Sequence, residues 1–160
     1  YSATLTTPMN GLPIVGSILE GLVLTTGIEE QETSTTAKTA DRLGLTAALN
    51  YAYGPVKIGY QKKFADLGQT TAGEGQVIYR DDIIGIAYAV NDSLSLSWNR
   101  YDSVKSTGAD VNVEQSTSDV NVGYTVGGMT FGFQDARTDN SGYVTNTSND
   151  TRRLQLVVAF

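Results

Sequence analysis

The chain has 160 residues, a net charge of −6 and a hydrophobic fraction of 40%, with no cysteine and no histidine. The missing residues exclude disulfides, thiolate chemistry and imidazole-based catalysis or metal ligation. No apolar run approaches the roughly 18 residues of a membrane helix, and an acidic chain without a Lys/Arg cluster argues against nucleic acid as a partner.

Alternation of apolar and polar or small residues predicts strands over 1–7, 12–26, 42–53, 55–65, 82–90, 93–102, 118–126, 128–136 and 151–160. The second is the least regular, because Ser17, Glu20 and Gly21 interrupt it. The chain opens on Tyr1 without an initiator Met, so the expectation is that a leader was removed or that the sequence starts partway along a longer protein. Three segments share one pattern: Tyr51 to Tyr60, Tyr88 to Trp98 and Tyr124 to Phe133. Each runs from an aromatic through a tight turn to another aromatic. Gly54-Pro55, Asn91-Asp92 and Gly127-Gly128 supply the backbone that short hairpins need. A looser copy spans Leu5 to Gly16, with its turn near Met9.

Polar stretches at about 29–40, 66–80, 103–117 and 137–150 connect these hairpins at their other end. Short turns at one end and long loops at the other is the pattern of an up-and-down outer-membrane barrel. The predicted outward faces include Leu45/Ala47/Leu49/Tyr51/Tyr53, Val56/Ile58/Tyr60, Ile84/Ile86/Tyr88/Val90 and Leu94/Leu96/Trp98. Val120/Val122/Tyr124/Val126, Met129/Phe131/Phe133 and Leu154/Leu156/Val158/Phe160 complete them. No charge interrupts these runs. Lys62, Asp82, Arg100, Asp135 and Arg152 follow on the same faces, at the end away from the turns. Aromatics fall into two bands expected to act as girdles at the two membrane–water boundaries. Tyr51, Tyr53, Tyr88, Tyr124 and Phe160 form the first, and Tyr60, Trp98 and Phe133 the second.

The opposite positions are small or polar, which predicts a wetted channel rather than a packed interior. Lys57, Gln61, Lys63, Asn99, Asn121, Gln134 and Arg153 are the candidate pore-lining residues. Lys57, Lys63 and Arg153 would shape the channel's field. No catalytic residue, metal site or cofactor is expected. Asp81 and Asp82 are adjacent, so they point to opposite faces and cannot act as an acid/base pair; they read as a solvated strand start. Asp135, Asp139 and Asp150, with Asn140 and Asn149, lack an ordered calcium-loop spacing and read as solvated loop. Gly73-Glu-Gly75 lacks the context of a phosphate cradle.

Ile86 to Ser97, Tyr124 to Gly132 and Leu154 to Phe160 resemble strands of a general porin of alphaproteobacterial outer membranes, in its C-terminal half. The resemblance covers 42–160 well and the first forty residues poorly. It implies an all-β fold, a transmembrane antiparallel up-and-down β-barrel of about 16 strands, of which residues 1–160 supply about 8–9 as one segment. It further implies a homotrimer, contact with outer-membrane lipid and lipopolysaccharide, and passive diffusion of small hydrophilic solutes. Leu156, Val158 and Phe160 would then belong to the signal read by the barrel-assembly machinery. A complete eight-stranded barrel displaying surface loops, and a soluble β-rich binding module, are the rival readings.

Overall fold

The computed structural model describes residues 2–8, 20–32, 41–69, 76–108 and 112–159. They form β1 (Ser2–Pro8), β2 (Leu22–Gln31), β3 (Arg42–Tyr53), β4 (Val56–Gln69), β5 (Gln76–Ala89), β6 (Leu94–Ser106), β7 (Asn112–Val126), β8 (Met129–Asp139) and β9 (Ser148–Val158). The nine strands make one sheet in chain order, each antiparallel to the next. Among the described residues β1 and β9 do not pair with each other, so the sheet is open. A single 3-10 turn at Ser141–Tyr143 is the one helical element among them.

Turn chemistry sets the phase of each hairpin. Gly127 and Gly128 both take positive φ, 55° and 79°, the backbone of a two-residue turn whose twist suits the flanking strands. Between β5 and β6, Asn91 Oδ1 accepts from the backbone N–H groups of Ser93 and Leu94, both at 2.9 Å, closing the connection with a side chain. Those connections are 54–55, 90–93 and 127–128 at one end, against 32–41, 70–75, 107–111 and 140–147 at the other.

Two expectations need correction. β2 begins at Leu22, not residue 12: residues 20–21 form a turn, with Gly21 at φ 86° accepting from Ala52 N–H at 3.0 Å. Residues 9–19, including the looser hairpin near Met9, lie outside the described residues. The strands also run well into the polar stretches, to Gln69 in β4 and Ser106 in β6, and from Gln76 in β5 and Asn112 in β7. There Ser, Thr and Asn link neighbouring strands, as in Thr117–Thr138 at 2.9 Å and Ser106 Oγ donating to Asn112 Oδ1 at 2.6 Å.

Register carries a geometric consequence. One row of partners runs Val56, Tyr88, Leu96, Val122, Phe133 and Leu154. Val56 is the first residue of β4, whereas Phe133 is the fifth of β8, four strands on. The row therefore climbs one residue per strand. A climb of about 3.3 Å across a strand spacing of about 4.8 Å corresponds to a tilt of roughly 35°, in the range of closed barrels.

No apolar side chain is buried among the described residues. In β8 exposure alternates strictly: Met129, Phe131 and Phe133 are exposed, while Thr130, Gly132 and Gln134 are half-buried. Side chains splay on the convex side of a curled sheet and crowd on the concave side, so the polar face is the concave one.

The β7–β8 turn yields a test. A Cβ at Gly128 would meet nothing nearer than Ala159 O at 3.6 Å, an ordinary contact, so Gly128→Val meets only backbone strain. It should cost about 1–2 kcal/mol in reversible denaturant unfolding. Gly132→Ala, in ordinary contact with Gln155 at 3.7 Å, should stay within about 0.5 kcal/mol of the parent.

Candidate functional site

The two faces of the sheet are the functional surfaces, and period-two alternation assigns each side chain to one of them. On the convex face Leu45, Leu49, Ile58, Ile84, Ile86, Leu96, Val120, Phe131, Leu154 and Leu156 are all exposed. Tyr51, Tyr53, Tyr60, Tyr88, Trp98, Tyr124 and Phe133 share that face by register. Tyr51 and Tyr53 stack near the turn end, their ring centroids 6.4 Å apart. Leu156 and Val158 lie at the end of β9 on the same face; Phe160 lies outside the described residues.

The far aromatics stand immediately below a charged border. Tyr60, Trp98 and Phe133 each precede by two residues a charge on the same face: Lys62, Arg100 and Asp135. The border sits six residues from the shared row at Asp82, four at Arg100 and two at Asp135. It descends as fast as the row climbs, so the apolar belt keeps its height along the tilted sheet. Tyr60 Oη donates to Asp82 Oδ1 at 2.5 Å, and Lys62 Nζ lies 3.2 Å from the same oxygen. The Tyr60 ring is thus apolar at its base and tied to the polar edge at its tip. Arg152 pairs with Asp135 at 3.3 Å, Arg137 with Asp139 at 3.1 Å and Arg100 with Asp102 at 2.8 Å. These four ion pairs all lie on the convex face, beyond the belt.

Two readings from sequence change here. Asp135, Asp139 and Asp150 stand in β8 and β9 rather than in a loop, and two of them pair with arginines. Asp81 and Asp82 do point to opposite faces, yet Asp81 is not solvated: it is only 7% exposed. The reason is a loop that folds over it.

The register places Lys57, Gln61, Lys63, Asn99, Asn121, Gln134 and Arg153 all on the concave face, in two separate groups. Asn121 Nδ2 and Gln134 Nε2 donate to Asp119 Oδ2 at 3.1 and 3.0 Å, and Asn99 is Asp119's partner across the β6–β7 ladder. Arg153 stands beside Gln134. Asn121, Gln134 and Arg153, with Ser95, Ser97 and Gln155, flank a groove of about 270 Å³. Lys57, Gln61 and Lys63 form a separate column on β4, where Gln61 Nε2 donates to Thr46 Oγ1 at 3.0 Å. Among the described residues neither lysine, nor Arg153, has a carboxylate within 4 Å.

Glycine lets the amides lie down. A Cβ on Gly85 would meet Asn99 Oδ1 at 2.6 Å, so Asn99 rests flat over the neighbouring strand instead of standing into the concavity. Asp119, Asp81, Ser103 and Tyr143 are concave-face residues that sequence reasoning missed. For Asp119 a signal existed: the alternation of Asn121, Gly123 and Thr125 extends back to it.

No family model, no curated protein and no solved structure matches this chain.

The charged border is testable by pH. Arg100 Nε donates to both carboxylate oxygens of Asp102, at 3.1 and 2.8 Å, and Ser116 Oγ donates at 2.6 Å, holding the Asp102 carboxyl below the usual range. A depressed folded-state pKa gives stabilisation that is present above the ordinary carboxylate value and lost as pH falls through the folded one. Carboxyl NMR should place the Asp102 midpoint below about 3.9, and Arg100→Gln should bring it back towards that value.

Proposed function

We propose that the chain forms part of the wall of an outer-membrane diffusion channel, a porin, whose concave face borders water and whose convex face meets lipid. The observation that carries this reading is the inverted exposure. Large apolar side chains stand exposed on one face, and in β8 the small and polar ones that alternate with them are the more sheltered. A soluble sheet does the reverse. In lipid the closed sheet satisfies each backbone donor and acceptor, and the nine strands are one stretch of that larger sheet. Strands of 11 to 15 residues from β3 to β9 reach or exceed the roughly 9–11 needed to cross. The surplus lies beyond the charged border, where Ser, Thr, Asn and Asp mix with apolar residues such as Phe64, Ile78 and Val104.

Solutes would cross down their gradients, filtered by size and by the field of Lys57, Lys63 and Arg153. No chemical step is required of the protein, and it acts without a cofactor. With the porin resemblance come a homotrimer, contact with lipid and lipopolysaccharide around the convex face, and delivery by the barrel-assembly machinery through β9.

Planar-bilayer recording of the purified, folded full chain tests the channel. Ion-sized conductance steps are expected, and replacing Lys57, Lys63 and Arg153 together by Glu should move the reversal potential towards cation selectivity. Silence from folded protein would remove the reading. The lipid-facing assignment has its own measurement, reversible folding into lipid vesicles. Ile86→Arg, in the middle of the β5 belt, should cost about 2–4 kcal/mol, whereas Val90→Arg at its edge should cost about 0–1 kcal/mol.

A further inference from the structure

Ser103 is the one fully buried side chain among the described residues, in a sheet that has no buried apolar side chain. What covers it comes from far along the chain. After β8 the backbone turns through Asn140, Gly142, Tyr143 and Asn146, all at positive φ between 52° and 70°, and folds back over the concave face. It crosses β7, where Asn140 Nδ2 donates to Glu114 O at 2.8 Å and Gly142 N–H donates to Gln115 Oε1 at 2.8 Å. It then reaches β6 and β5. Tyr143 Oη lies 2.7 Å from Ser103 Oγ, and Ser103 Oγ donates to Asp81 Oδ1 at 2.6 Å. Ser103 has a single hydroxyl proton, already given to Asp81, so Tyr143 must be the donor in its own bond.

The ring is held as well as the hydroxyl. Tyr79 packs against it with centroids 5.4 Å apart, and Lys105 Nζ stands 5.8 Å from its centroid. Within the loop Asn140 Oδ1 accepts from Asn146 N–H at 3.0 Å, and Thr147 Oγ1 donates to Ser141 O at 3.0 Å. Burial pushes the adjacent Tyr101 phenol up to about 12, the mark of a place partly closed to water. Asn and Tyr residues held at positive φ cost free energy unless their surroundings fix them, and here hydrogen bonds to β6 and β7 do so.

We infer that the 140–147 loop is an inward-folded lip at the loop end of the concave face, latched by the Tyr143–Ser103–Asp81 chain, that narrows the channel mouth and sets its upper solute size. This rests on the channel reading above, but the latch can be tested apart from it. The chain has no cysteine, so Ser103→Cys gives a unique thiol that keeps one donor and one acceptor. In the folded full chain that thiol should react slowly with a water-soluble methanethiosulfonate. Adding Tyr143→Phe, which removes one hydrogen bond, should speed labelling roughly 2- to 10-fold, and Tyr143→Ala should speed it further. Equal rates in all three overturn the latch.

With Ser103 intact, Tyr143→Ala should raise single-channel conductance and admit larger neutral sugars in a liposome-swelling assay. If the parent conducts but Tyr143→Ala changes neither readout, the narrowing is wrong and the channel reading stands. If thiol protection holds but no form conducts, the channel reading and the narrowing fall together, and only the latch survives.

Discussion

The architecture depends on one constraint: this sheet has no second layer. No apolar side chain that its strands place on the convex face is buried, and most from Leu45 in β3 to Leu156 in β9 are exposed, Val56, Leu94 and Val122 being half-buried. Removing apolar surface from water contributes about 25 cal/mol per Å², and the chain leaves a large share of that gain unrealised, with 46% of Phe131 and 54% of Leu156 still open. The missing cover must therefore come from outside the described residues. Had Leu94, Phe131 and Leu156 been packed under a protein layer, the sheet would be half of a sandwich. Phe131 and Leu156 are instead 46% and 54% exposed.

An uncovered apolar face could also arise from irregular pairing, but the ladder argues otherwise. Eight successive strand pairs hold register, broken only by a bulge near Asp66 and Gln69 in β4. The climb of one residue per strand is built by the hairpins: each short turn sits two residues farther along the ladder than the one before. The charged border keeps the same pace. Turn spacing, strand tilt and charge placement are thus one geometric fact expressed by different residues, and a tilted belt of constant height is what a planar apolar slab would select.

Much of this was legible from sequence because period two is hard to imitate by accident. Val56/Ile58/Tyr60 and Met129/Phe131/Phe133 fix the phase of β4 and β8, and Gly54-Pro55 and Gly127-Gly128 fix where each hairpin reverses. Legibility ended where both faces become polar. In β7, Asn112 to Ser118 show no apolar alternation, yet they pair fully with β6, because beyond the belt either face can be wet. Hydrogen-bonded side chains such as Ser116 and Asp102 replace apolar contrast there. The start of β2 was hidden for a local reason: Gly21 needs positive φ and so ends the regular strand backbone. The latch was illegible for a global reason. Tyr143 and Ser103 are 40 residues apart, and nothing in a tract rich in Asn, Thr and Ser distinguishes a loop that folds back from one that floats.

The distribution of charge separates the two faces a second time, independently of hydrophobicity. On the convex side four cations sit in close pairs with carboxylates, among them Lys62–Asp82 and Arg152–Asp135, while Arg80 donates to Ser106 Oγ instead. Pairing there has a clear electrostatic motive, since an uncompensated charge near an apolar boundary loses solvation that a partner partly restores. On the concave side Lys57, Lys63 and Arg153 stand without such partners among the described residues, and Asp119 is held by amides instead of a cation. Unpaired charges are tolerable only where water or mobile ions remain in reach. Were the concave face packed dry, those three cations would need carboxylates beside them, as their counterparts across the sheet have.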